Sequence, residues 1–330
     1  MRGPSPFKTP TGEARFLAAY DRELARWPVR SEHVDVPGRF GTTHVVICGP
    51  AAAPPLVLLH GYLATLTMWW PNITALSQDH RVYAVDVMGQ PSRSRPGEPI
   101  RDAADFASWL TGTLDALRLD RVSLMGMSFG GWIALTYAVA VPRRVDRLVL
   151  LSPSGLLPMV RQFTVRGLLM MGLPSRLTIN VLFRWLGFTS GTHAGLLDVI
   201  YLGLKHFRMP RATTRVAPAA LSDEALRGLR VPTLLLVGDH EVISDPVRAL
   251  ERARRLVPTC EGALLPGCGH EMYASHHAMV DARVRAFLGG SHTDAAVAAR
   301  DIPAPSDPRH EDSTACAMSA VAPRDPVGRW

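Results

Sequence analysis

Cysteine is scarce in this chain. The four present, Cys48, Cys260, Cys268 and Cys316, form no Cys-x-x-Cys pair and show no ligand-like spacing with histidine. That argues against a disulfide framework and a zinc site, and it suits a reducing compartment. No apolar run approaches the roughly 18 residues that a membrane-crossing helix needs. Met1-Arg2-Gly3-Pro4-Ser5-Pro6 lacks the apolar stretch of a signal peptide, so the cytoplasm is the expected location. A Lys/Arg block is also missing, as is any basic patch interleaved with aromatic residues. The net charge of +7 comes from arginines spread along the chain, and nucleic acid is not an expected partner. Internal repeats are absent too.

What is present describes an ordinary globular protein. Hydrophobic residues make up 47% and charged ones 20% of 330 residues, enough for one large core with an inserted subdomain. Residues 1–30 read as an extension, loose to about residue 12 and then helical over Glu13–Trp27. Glu32–Val36 and Thr43–Ile47 flank a Gly/Pro turn and predict a hairpin. From Leu56-Val57-Leu58-Leu59 onward, short continuous apolar runs alternate with helical periodicity, as strands buried on both faces of a parallel sheet require. Phe106, Leu110, Leu114 and Leu117 mark one such helix, opened by Asp102. The alternation stops at Ser152 and resumes with Val231–Val237. The predicted organisation is an α/β core over 31–152 and 221–289. An inserted helical cap over 153–220 is preferred to an amphipathic membrane-surface segment. Residues 290–330 carry almost no large apolar side chain and are expected to be disordered.

One stretch carries chemistry. Arg121–Met125 reads as a buried strand and Trp132–Ala140 as a helix, and between them stands Gly126-x-Ser128-x-Gly130. This is the pattern of a nucleophile elbow, a turn so tight that the serine backbone is strained and its neighbours lack a Cβ. A serine hydroxyl needs a base, and the base needs a carboxylate, in the chain order serine, acid, histidine. His270 follows the last predicted strand in a Gly-rich loop, where the base is needed. His60 is more simply a structural hydrogen-bonding residue. The acid is Glu241, three residues past Gly238, with Asp245 as the alternative. Asp245 precedes Pro246 and has a sufficient role as a helix N-cap. The backbone N–H groups of Phe129 and Tyr62 are the expected oxyanion donors, with Leu63 as the fallback.

His60-Gly61-Tyr62, Asp86 at a strand end, Gly126–Gly131, Gly238-x-x-Glu241 and Gly269-His270 together resemble the α/β-hydrolase superfamily over about residues 30–288. The closest likeness is to bacterial serine carboxylesterase-like proteins with a helical cap. The resemblance implies an α/β fold with a mostly parallel eight-stranded sheet whose second strand is antiparallel. Two departures stand out: Glu241 replaces the usual Asp, and Met88–Ser94 lacks the Gly-x-Gly-x-Ser of relatives. The expected activity is hydrolysis of a small-molecule carboxylic ester or related acyl compound through an acyl-enzyme, with no cofactor and no metal. The same residues also suit C–C bond hydrolysis, perhydrolysis, acyl transfer or a non-catalytic ligand-binding protein.

Overall fold

The computed structural model describes residues 5–188, 193–210 and 216–290. A twisted sheet forms the centre, from β1 (Ser31–Gly38), β2 (Gly41–Cys48), β3 (Pro55–Leu59), β4 (Arg81–Val85), β6 (Val122–Met127), β7 (Val145–Leu151), β8 (Thr233–Gly238) and β9 (Cys260–Leu265), in the order β1-β2-β4-β3-β6-β7-β8-β9. β2 runs antiparallel to both β1 and β4, and every later pairing along the path is parallel. A ninth strand, the two-residue β5 (Arg95–Pro96), pairs with β2 and was not expected. It needs no hydrophobic signature because it only extends the β2 edge by a few backbone bonds.

β6 is buried along its whole length, as are the last four residues of β3. Their continuous apolar runs reflect helices on both faces. One core layer gathers Leu56, Leu58, Met125 and Leu151, and the opposite layer gathers Val57, Leu59, Leu124 and Leu150. Strict alternation of neighbours between the two layers is the pleat of a fully covered sheet. Helices α2 (Ile73–Asp79), α3 (Ala103–Ala116) and α4 (Phe129–Ala140) follow β3, β5 and β6. Asp102 caps α3 by accepting from the Asp105 N–H at 2.8 Å.

Between β7 and β8 lie α5 (Arg161–Gly172), α6 (Arg176–Trp185), α7 (Ala194–His206) and the short α8 (Asp223–Gly228). After β8 come α9 (Pro246–Leu256), β9, α10 (Met272–Ser275) and α11 (His277–Gly289). The tail expectation for 291–330 falls outside the described residues, as does Cys316.

The N-terminal segment departs from expectation. Helix α1 spans Pro10–Leu24, with Thr9 accepting from the Gly12 N–H at 3.0 Å, and it begins earlier than apolar periodicity alone suggested. From Ser5 on, the chain is held rather than loose: Phe7 forms an antiparallel bridge with Phe207, and its ring packs 5.2 Å from both Phe16 and Phe207. The anchor is aromatic burial against a segment two hundred residues away, which local composition does not report.

Candidate active site

The elbow follows from backbone constraints. Ser128 has φ 53° and ψ −113°, a conformation an L-residue adopts only when its surroundings impose it. Three backbone bonds impose it: the Ser128 N–H donates to Leu151 O at 3.0 Å, while its carbonyl accepts from Trp132 and Ser154 N–H, each at 3.0 Å. Gly130 is required because a Cβ there would lie 2.1 Å from Leu59 O, so helix α4 could not approach β3. Phe129 is the first residue of α4, where an N–H has no intrahelical acceptor.

The loop after β3 covers this turn. A Cβ built on Gly61 would sit 3.8 Å from the Ser128 Cβ, which places residues 60–63 directly over the serine. His60 is fully buried; its Nδ1 donates to Gly61 O at 2.8 Å and its Nε2 accepts from the Val87 N–H at 2.9 Å. Burial holds its pKa below the usual histidine value, and it remains a neutral bracing group. Leu63 stands at φ 63°, and its N–H donates to Gln90 Oε1 at 3.0 Å. Leu63 is therefore engaged, whereas no described residue accepts from the Tyr62 N–H. Gln90 was missed by sequence reasoning. The available signal was the departure at Met88–Ser94, where a buried side-chain carbonyl braces the loop over Ser128.

Asp86 ties the same region together. Its Oδ1 accepts from the Leu66 N–H and its Oδ2 from the Arg93 N–H and the Tyr20 hydroxyl, all at 3.0 Å. Tyr20, on α1, thus reaches the loops that follow β3 and β4. Burial, then the nearby Asp86 charge, pushes its hydroxyl pKa up, so it stays a donor.

The acid and histidine loops are packed backbone to backbone. A Cβ on Gly238 would lie 2.3 Å from Cys268 O, so only glycine permits this approach. His270 Nδ1 lies 2.7 Å from Glu241 Oε2, and Glu241 Oε1 accepts from the Val242 and Ile243 N–H groups at 2.8 Å each. Burial pushes the Glu241 carboxyl upward, but the His270 charge, its hydrogen bond and the Ile243 N–H outweigh that, and the net direction is down. A carboxylate here accepts from Nδ1–H, which puts the ring proton of a neutral imidazole on Nδ1 and leaves Nε2 as its acceptor nitrogen. Asp245 does not share in this: it caps α9, accepting from the Arg248 N–H at 3.0 Å. Asp239 is exposed.

Ser128, His270 and Tyr62 line one cavity of about 80 Å³, with Phe183 and Phe188 also on its walls and apolar side chains dominating the lining. A larger polar cleft of about 440 Å³ between α1 and β2, with Glu13, His44 and Arg95 on its walls, contains none of these residues. Among the described residues no cluster of histidine, cysteine, aspartate and glutamate could hold a metal ion, and Cys48, Cys260 and Cys268 are free thiols. Among the described residues no helix is long and apolar enough to cross a membrane.

A family model described as the alpha/beta hydrolase fold matches residues 54–202. Two Bacillus subtilis (strain 168) proteins are similar over most of their length. An uncharacterized carboxylesterase, nap, is 35% identical over 285 residues, covering 83% of this chain and 92% of that one. Carboxylesterase YbfK is 34% identical over 284 residues, covering 84% and 94%. The crystal structure of naproxen esterase (carboxylesterase NP) from B. subtilis superimposes with a TM-score of 0.80 at 34% identity, over 85% of this chain and 99% of that one. With the sheet order, the elbow and these relatives in agreement, the chain belongs to the α/β-hydrolase family and is a serine hydrolase of its carboxylesterase-like group.

Proposed function

We propose that this hydrolase cleaves a carboxylic ester with a small to medium, largely apolar acyl or aromatic group, using Ser128, His270 and Glu241 through an acyl-enzyme. The observation that carries the reading is the His270–Glu241 pair at 2.7 Å, on loops that bring His270 to the cavity of the elbow serine. His270 Nε2 takes the Ser128 proton as Oγ attacks the carbonyl carbon. The oxyanion then forms under the N–H groups of Phe129 and Tyr62. His270 passes its proton to the leaving alkoxide, and water, deprotonated by the same nitrogen, releases the acid and frees Ser128. Glu241 holds the imidazole tautomer and stabilises the imidazolium. Loss of either oxyanion donor would cost roughly 2.7–4 kcal/mol of transition-state stabilisation. The apolar walls supplied by α5–α7 support the substrate class, and the free thiols suit a cytoplasmic setting.

An alkyl fluorophosphonate probe with peptide mapping tests the assignment. Ser128 is expected to carry the label, and Ser128→Ala should abolish both labelling and hydrolysis of aryl esters. Labelling elsewhere, or residual esterase activity in Ser128→Ala near the wild-type level, refutes it.

A further inference from the structure

The helices over the cavity have a second apolar face. Met170, Leu182 and Phe183 point inward and line the cavity. Yet Leu168 is 67% exposed, Leu173 69% and Leu177 72%, with Leu169 and Val181 also exposed on the same α5–α6 hairpin. Among the described residues, every exposed large apolar side chain except Tyr62, Val247 and Met279 falls between Val160 and Val181. A helix at a protein surface ordinarily turns a polar face outward, and a concentration of this kind marks an interaction surface.

Charge identifies what the surface fits. No aspartate or glutamate occurs between Asp146 and Asp198, while Arg161, Arg166, Arg176 and Arg184 all lie on the hairpin. Arg176 pairs with Asp198, and Arg166 stacks over Trp185 at 4.4 Å. Arg161 and Arg184 are exposed, and no ion pair involves them among the described residues. Leucines flanked by unneutralised arginines on short helices are the composition of a segment that lies in a lipid–water interface. A second copy of this chain fits poorly, because a two-fold contact would bring like-charged hairpins together with no acid to compensate.

We propose that the α5–α6 hairpin docks this hydrolase on anionic lipid surfaces. Leu168, Leu173 and Leu177 enter the headgroup–acyl boundary, and Arg161 and Arg184 contact lipid phosphates. Since the inner face of the same hairpin lines the Ser128 cavity, docking sets that cavity against the layer in which apolar esters dissolve. The docking itself is independent of the chemistry proposed above, because vesicle binding is read without turnover.

The test is flotation of the full chain with phosphatidylcholine vesicles containing about a quarter phosphatidylglycerol. Wild type should float with them, less so with pure phosphatidylcholine and less so at high salt. Leu168→Glu/Leu173→Glu/Leu177→Glu should lower the bound fraction about tenfold or more, while hydrolysis of a short water-soluble aryl ester stays at the wild-type rate. Arg161→Glu/Arg184→Glu should remove the preference for anionic vesicles, and it carries the test if the triple variant does not fold. Wild type remaining unbound to the anionic vesicles overturns the proposal, as does a folded triple variant that still floats. A stable dimer that the triple variant dissociates also overturns it, assigning the face to a second copy.

Discussion

Replacing Glu241 by glutamine separates the proposed acid from its alternative. Glu241 Oε1 accepts two backbone N–H groups at 2.8 Å each. A glutamine must put its carbonyl oxygen there, because an NH2 facing two donors would leave buried N–H groups unpaired at about 1–3 kcal/mol each. Its NH2 then faces His270 Nδ1, now 2.7 Å from Oε2. Nδ1 must become an acceptor, so the imidazole proton moves to Nε2, the nitrogen that should take the Ser128 proton. Fold and cavity survive while the base is lost. The expected fall in kcat is about 10,000-fold, or about 5.4 kcal/mol at 1.36 kcal/mol per decade. Asp245→Asn keeps an N-cap acceptor for Arg248 and should leave kcat within about twofold and stability within about 1 kcal/mol. The assay is steady-state hydrolysis of a p-nitrophenyl ester, with thermal melts confirming that both variants are folded. A Glu241→Gln enzyme within about tenfold of wild type, or an Asp245→Asn enzyme as impaired as Glu241→Gln should be, refutes the tautomer reasoning.

Two further outcomes follow from buried polar groups. Gln90→Leu removes the acceptor of the Leu63 N–H and loosens the loop over Ser128. It should lower kcat roughly 10–100-fold with little change in KM, and unchanged kinetics would show that Gln90 is not a positioning residue. Asp281 accepts from Asn72 Nδ2 at 2.8 Å, and burial pushes its carboxyl from 3.8 to about 7 against the opposing effects of Asn72 and Arg285. The folded state keeps this proton after the unfolded chain has lost it. The stabilisation is therefore complete below about pH 4 and lost as pH rises through about 7, with a ceiling on the order of 4 kcal/mol. Asp281→Asn mimics the protonated form. Its melting temperature should fall less than that of the wild type between about pH 5 and pH 8, and parallel curves would contradict this.

The sheet strands, the strained turn at Ser128 and the pairing of Glu241 with His270 were legible because each rests on a local pattern: continuous apolar runs, glycines flanking one serine, and Gly-rich loops after strands. Gln90 was not legible, since its function depends on a bond to Leu63 across twenty-seven positions and its own loop reads only as Gly/Pro punctuation. Tyr20 likewise read as a member of an apolar helix face, and only the fold brings its hydroxyl to Asp86. The eight-strand expectation missed β5 because two residues carry no periodicity. The size and lining of the cavity depend on how α5–α7 meet the core, which no single segment encodes.

The packing of α1 on α7 anchors the walls of the cavity unequally. On one side α7 is clamped: Phe7 bridges Phe207, Arg22 reaches Asp198, and the Lys8 N–H donates to His206 O at 2.7 Å. Through Tyr20 and Asp86 the same clamp extends into the segment that follows β3. Among the described residues no hydrogen bond or ion pair joins α5 or α6 directly to α1, although Arg176 on α6 shares Asp198 with Arg22, and much of the outer surface of both helices is exposed. Widening a cavity of about 80 Å³ by moving α7 would break buried aromatic contacts and long-range backbone bonds together. The N-terminal helix thereby anchors the α7 wall of the cavity to the rest of the fold far from the elbow in sequence.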